Sequence, residues 1–288
     1  MSFKEDYKNI YNLVGDELEK VKTKAAENIT AQNKFYESLS DFVKAPSKHI
    51  RALVSFLYCK AASYEITEEQ IIFQAIIELI HNGSLIHDDV IDASGERRGN
   101  KSFNANFGEH LSVVAGDYVL ATALRYIAEL KNSQLTIMIA DTISKMCEGE
   151  VRQHHSKYKI PTLEEYLEKT YNKTGALFEA AICGAELLAT NKISEQTAVF
   201  SKNFGIAFQI KNDIKNVIAN KKDSDINNGI YTAPVIFAGD LENAASGIEK
   251  AYDLLDNYIR KAKASAQYLP DSLYKQAVIE LTGIIRDE

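Results

Sequence analysis

The chain has no tryptophan, and only four prolines and 14 glycines among 288 residues. With so few breakers, no Pro/Gly/Ser-rich stretch or charge block marks a linker. One continuous fold with a sizeable core is expected. Cysteine is also sparse. Cys59, Cys147 and Cys183 are odd in number and widely spaced, which argues against a disulfide frame or zinc site and suits small buried side chains in a reducing compartment. Positive charge is not in excess: 33 Lys and Arg face 40 Asp and Glu, a net charge of −7, so nucleic acid is not an expected partner. No apolar run of membrane-spanning length stands out, and Met1-Ser2-Phe3-Lys4-Glu5 does not read as a secretory leader. A cytoplasmic protein is the expectation.

The alternating pattern of half-buried strands is missing too, and periodicity near 3.6 takes its place. Thr67-Glu68-Glu69-Gln70 is a capping box that opens a helix ending near Asp92. Thr162-Leu163-Glu164-Glu165, just after Pro161, opens another that runs through Lys173 toward Leu188. Further apolar-periodic segments cover 5–40, 45–63, 109–130, 134–157, 194–220, 231–262 and 271–287. The expected fold is an all-α bundle of about ten or more helices. Ile71–Ile86 and Ala176–Ala189 are apolar nearly all round, which marks central helices.

The chemistry is concentrated in Leu85-Ile86-His87-Asp88-Asp89-Val90-Ile91-Asp92, followed by Arg97-Arg98-Gly99. Asp88 and Asp92 lie one helical turn apart on one face, with Asp89 beside them. Carboxylates this close repel unless something bridges them. Hard oxygen ligands in a half-open cluster suit Mg²⁺, which usually shares itself with substrate phosphates. Paired arginines add forked donors for phosphate oxygens. A diphosphate site bridged by metal is therefore expected, against the alternative of a helix end with solvated charges. Asn212, Asp213 and Asn216 repeat the same spacing after a second apolar run, and two such clusters can face each other across a bundle cavity. Between them in sequence, Lys173-Thr174 interrupts an apolar stretch as either a phosphate-facing lysine or ordinary surface.

These residues resemble the trans-isoprenyl diphosphate synthases from about Phe42 to about Pro234, most closely the long-chain octaprenyl type. The likeness is carried by His81, Asp88-Asp89-x2-Asp92 and Arg97-Arg98-Gly99. Gly116-Asp117, Gly149-Glu150-Val151-Arg152-Gln153, Lys173-Thr174 and Phe208-Gln209-x3-Asp213 follow in the family's order, and Asp225-Ile226 and Gly229-x2-Thr232-x-Pro234 close the series. The resemblance implies a single isoprenoid synthase domain over residues 1–288, with helices around a central apolar cavity. It implies that Asp88, Asp89, Asp92 and Asp213 hold two to three Mg²⁺ ions that bind the allylic diphosphate. Arg97 and Lys173 would add charge, with Thr174 and Gln209 as further substrate contacts. Lys48, Arg51, His81 and Arg98 would bind isopentenyl diphosphate. A homodimer is implied, with the apolar face of the Gly108–Tyr126 helix as candidate interface. The product would be handed to a membrane.

The chain departs from the family pattern on the allylic side. Asn212 and Asn216 stand where the family has aspartates, and Ile230 replaces an expected lysine, for which Lys221 or Lys222 is a substitute. The family's two glycines before Lys48 are missing. Chain length is expected to depend on Ser84 and Gly83, the residues four and five before Asp88. Both are small where short-chain enzymes carry a bulky aromatic floor, which implies a long-chain product of the kind used for quinone side chains. Ile127 and Ile139 are the next candidate floor. Gly83 has a plainer reading as a close helix-packing position. Three alternatives stand beside long-chain synthesis: a short-chain farnesyl or geranylgeranyl diphosphate synthase, a catalytically weak regulatory subunit, and a terpene cyclase.

Overall fold

The computed structural model describes residues 3–29, 33–219 and 226–287. Its helices are α1 (Phe3–Asn12), α2 (Gly15–Glu27), α3 (Lys34–Lys44), α4 (Ile50–Ala61), α5 (Glu68–Ile91), α6 (Phe103–Glu129), α7 (Ser133–His155), α8 (Leu163–Thr170), α9 (Ala176–Thr190), α10 (Glu195–Ala219), α11 (Ala233–Ala238), α12 (Ile248–Ala266) and α13 (Leu273–Asp287). The fold is all-α, as expected. Strand structure among the described residues is limited to a two-rung hairpin, β1 (Glu96–Arg97) and β2 (Asn100–Lys101), with Arg97 opposite Asn100.

Both expected capping boxes form. Thr67 accepts from the Gln70 amide while Gln70 reaches back to the Thr67 N–H, and Thr162 and Glu165 do the same. The helix begun at Thr162 does not run through Lys173 unbroken. Tyr171–Gly175 is a π-helical turn between α8 and α9. The 231–262 segment also divides, because Gly239 ends α11 in the left-handed region at φ 68°. The 109–130 segment starts earlier, at Ser102, whose hydroxyl caps α6; a break at Gly108 (φ 79°) separates its first turn from the rest.

Helices α4, α5 and α9 form the centre. Their all-round apolar surfaces leave only a few polar side chains inside, and two of these tie the helices together. Gln74 Nε2 donates to Ser55 Oγ at 2.9 Å and to the Ala181 carbonyl at 2.8 Å. Gln70 Nε2 donates to the Ala185 carbonyl at 2.9 Å. These bonds fix the register of α5 against α4 and α9, and so the height at which Asp88 emerges from the core.

α6 corrects one expectation. By length and composition it is the one described helix apolar enough to cross a bilayer. In the fold, Ala115, Val119 and Ala123 are buried on one side. The other side leaves Val113, Val114 and Leu124 exposed, with few charges among them. A helix buried on one side and apolar on both has the composition of a membrane span without being packed like one.

Candidate active site

A cleft of about 880 Å³ opens where the C-terminal half of α5 meets the start of α4, the hairpin turn, α7, the π turn and α10. Its walls include Lys48, Arg51, His81, Asp88, Arg97, Arg98, Lys173, Thr174 and Gln209, all expected from the sequence, together with Asn212 and Asn216. Ser84, Leu85, Leu120, Ile143 and Met146 line its apolar part.

One wall is acidic. Asp88 projects from the last turn of α5, and burial pushes its carboxyl up to about 6; Lys173 opposes the shift while Glu150 and Asp92 add to it. Asp92 caps the end of α5 and is raised for the same reasons, burial first. Lys173 forms an ion pair with Glu150 at 2.5 Å. Burial alone would lower this lysine, but Asp88, Glu150 and Asp92 together push it up, so it stays charged. The π turn creates this arrangement, because its extra residue re-aims the helix surface and turns Lys173 and Thr174 toward the cleft. α7 comes close enough because Gly149 has no side chain: a Cβ there would lie 2.8 Å from the Lys173 amide nitrogen. Glu150 belongs to a motif quoted from the sequence, but its role as the partner of Lys173 was not read there. The signal was a glycine directly before an acid, which marks close approach.

Of the four expected metal ligands only Asp88 lines the cleft; Asp92 is exposed at the end of α5, just outside it, and the other two are buried elsewhere. Asp89 is completely buried, and its Oδ1 accepts from Arg97 Nε at 2.8 Å and also from Arg97 Nη2. One residue on from Asp88, it points about 100° round the helix and away from the cleft. Its work is to hold Arg97, which does reach the cleft wall. Asp213 is buried as well. It accepts from Tyr166 Oη at 2.6 Å and from Gln209 Nε2 at 2.7 Å. Gln209 Oε1 in turn accepts from Thr174 Oγ1 at 2.8 Å. Asp213 thus orients Gln209 and, through it, Thr174. The α10 side chains that line the cleft are Gln209, Asn212, Lys215 and Asn216. Sequence spacing grouped Asp213 with its neighbours, but the face that meets the cleft is the i, i+3, i+6, i+7 row. Asp225, Lys221 and Lys222 lie outside the described residues.

The opposite wall is basic. Arg51 is buried, and burial lowers it to about 10, with Glu78 acting against the shift. Its guanidinium stacks 4.8 Å from the Phe178 ring centre. His81 is held well below the usual histidine range, first by burial and then by Arg51 and Arg98. Lys48 is lowered by burial and by Lys215 across the cleft. Arg98 occupies the hairpin turn at φ 54°, followed by Gly99 at φ 76°, which is the paired left-handed geometry of a tight two-residue turn. Cations crowded together at this depth repel one another and favour a polyanion between them.

The four chain-length candidates occupy different places. Ser84 lines the cleft. Gly83 does not; a Cβ there would meet Leu120 Cγ at 3.1 Å, so the residue is a packing position between α5 and α6. Ile127 and Ile139 are buried in the core and are not part of the cleft wall. Leu120, Ile143 and Met146 are the side chains facing the apolar end.

Among the described residues no three His, Cys, Asp or Glu side chains close into a metal cage. The donor set nevertheless fits a hard divalent cation, since such sites use one or two carboxylates and are completed by phosphate and water. Glu150 and Asp92 lie near enough to Asp88 to add their charge to its burial, so a cation beside Asp88 would be favoured.

A helical bundle with a cleft that is acidic on one wall, basic on the other and apolar beneath defines the isoprenoid synthase fold. Within that class the chain belongs to the polyprenyl synthetase family, which matches residues 32–273. It is 30% identical over 311 aligned positions to solanesyl diphosphate synthase 2, chloroplastic, of Arabidopsis thaliana, covering 94% of this chain and 75% of that one. A decaprenyl diphosphate synthase from Rhodobacter capsulatus superposes with a TM-score of 0.89 at 22% identity, covering 98% of both chains. A polyprenyl synthase from Caulobacter crescentus, solved with calcium and isoprenyl diphosphate, superposes at 0.88 with 22% identity and the same coverage.

Proposed function

We propose that this protein is a long-chain trans-polyprenyl diphosphate synthase, condensing isopentenyl diphosphate with an allylic diphosphate in the presence of Mg²⁺. The observation that carries the reading is the single cleft with two separate diphosphate-type walls over an apolar pocket. A cyclase acting on one diphosphate has no use for the second wall of Lys48, Arg51, His81 and Arg98. Asp88 and Asp92 would hold the metal, which when bound supplies positive charge to the departing pyrophosphate. Lys173 and the donors of Arg97 not used by Asp89 face the same group and favour the charge it gains as the C–O bond breaks. The basic wall holds isopentenyl diphosphate so that its double bond meets the allylic carbon. The apolar lining from Ser84 to Met146 excludes water from the cation. Incubation of the purified protein with both substrates and Mg²⁺ tests the reading: ladders of long prenyl products support it, a cyclic hydrocarbon points to a cyclase, and binding without turnover points to a regulatory subunit. Asn212 and Asn216 on the cleft wall are the observation that favours the last.

Those two amides give a further expectation. They offer carbonyl oxygens to a cation but no charge, so Asn212→Asp combined with Asn216→Asp should lower the Mg²⁺ concentration for half-maximal rate several-fold. An unchanged or higher requirement, measured by Mg²⁺ titration of the rate, would show that the amides are adapted to the site.

The exposed apolar side of α6 supports a homodimer. Val113, Val114, Ala121 and Leu124 recur at helical spacing on that side, a pattern that marks an interaction surface. The protein should sediment as a dimer at micromolar concentration, and Leu124→Arg should shift it toward monomer. A monomeric unaltered protein would dismiss this interface.

A further inference from the structure

The basic wall contains a residue with no assigned role. His49 directly precedes α4 in the left-handed region at φ 43° and does not cap that helix with its side chain. It lines the cleft yet is only 7% exposed. Its Nδ1 lies 3.0 Å from Glu78 Oε2, and Glu78 is itself 3% exposed. The other ring nitrogen, Nε2, is buried without a partner, and so is Arg51 Nε two residues on. A strained backbone and an unsatisfied buried nitrogen are both costly, and a cleft residue that carries both is set up to meet a ligand.

The pairing with Glu78 decides what His49 can offer. A carboxylate only accepts, so Nδ1 carries the hydrogen of that bond. In a neutral ring Nε2 would then present a lone pair, which phosphate oxygens repel. Only the imidazolium presents N–H groups at both ends. The groups around the ring set the balance. Glu78 on α5 favours the cation. Lys48 beside it, Arg51 on α4, His81 on α5, Arg98 in the hairpin turn and Lys215 on α10 oppose it until an anion enters among them.

We infer that His49 is a diphosphate-binding residue of the basic wall and engages its ligand as the imidazolium, so that isopentenyl diphosphate binds with uptake of a proton at His49. The inference rests on the reading of this wall as the isopentenyl diphosphate site. A proton enters on binding, so affinity falls as pH rises. His49→Gln keeps a donor of similar reach without a titrating group.

Calorimetric titration of isopentenyl diphosphate, run at several pH values in two buffers of different ionisation heat, counts the protons taken up. The ligand's own titration is common to all variants and cancels in the differences. The unaltered protein should take up close to one proton more than His49→Gln, and at low pH should bind about tenfold more tightly. Glu78→Gln, in which Nδ1 is no longer tied to a carboxylate, should also lose most of the uptake, and it decides the matter should His49→Gln fail to fold. His81→Gln should retain the uptake assigned to His49. The inference is overturned if His49→Gln and Glu78→Gln keep full uptake, or if His81→Gln alone abolishes it. Failure of the unaltered protein to bind isopentenyl diphosphate at all would overturn the reading of the wall and this inference with it.

Discussion

Asp88→Asn is expected to lower kcat by roughly three orders of magnitude while making the metal-free protein more stable at neutral pH. The activity loss follows from position. Asp88 is the acid of the first motif that lies in the cleft wall, next to Lys173 and Glu150. The gain in stability follows from linkage. An acid raised in the folded state to about 6, from its ordinary 3.8, binds its proton more tightly when folded than when unfolded. Ionising it therefore costs stability. The cost is absent below about pH 4, grows as pH rises toward 6 and is complete above that. Two pH units correspond to about 3 kcal/mol at most, and the water admitted by an open cleft reduces this to on the order of 1 kcal/mol. Melting curves in chelator at pH 5 and pH 8 should separate variant from unaltered protein more at the higher pH. A variant with near-normal turnover at saturating Mg²⁺ would show that Asp88 is not a metal ligand. Asp89→Ala should behave differently: it strands Arg97 and opens a hole in the core, so its first effect is unfolding at lower temperature.

Ser84→Phe should convert the product spectrum from long chains to short ones without abolishing the first condensation. Ser84 sits one turn before Asp88 on the cleft wall, where a helix rise of about 1.5 Å per residue puts it roughly 6 Å below the reacting end. An aromatic ring at that level collides with the growing chain after few additions, because packed walls yield little. Thin-layer or mass analysis of products at excess isopentenyl diphosphate reads the result. Unchanged chain lengths would mean that the chain leaves by another route. Gly83→Tyr is the instructive contrast. Its side chain would drive into Leu120 and separate α5 from α6, so the expected result is a loss of stability of about 1–3 kcal/mol or more.

These two cases show what was legible in the sequence. The helix starts at Thr67 and Thr162 and the central burial of α5 and α9 follow from local signals, caps and periodicity, whereas the basic wall of Lys48, Arg51, His81 and Arg98 is legible only through the family resemblance. Residue facing was harder to read. Asp88 and Asp89 are adjacent in sequence but differ by about 100° in direction, and which of them meets the cleft depends on how α5 is rotated by Gln70 and Gln74 against α9. The same rotation problem hid Asp213 behind Gln209 and turned Gly83 toward α6. Glu150 and Glu78 were overlooked because their partners, Lys173 and His49, lie far away in the chain. Long-range pairing leaves no periodic mark, although a buried acid in an apolar helix is itself a sign that a cation waits opposite.

The π turn at Tyr171–Gly175 has a consequence for the tolerance of this region to change. A π turn holds one residue more than the α-helical path between the same ends, so it stores a frame shift inside a continuous helix. Deleting a single residue there leaves a well-formed α-helix, with every hydrogen bond and the apolar surface of α9 intact, but rotates α8 by about 100° relative to α9. The chain would still fold around its core, and the lysine would be lost from the cleft. At this point length, rather than residue identity, is under the tighter constraint.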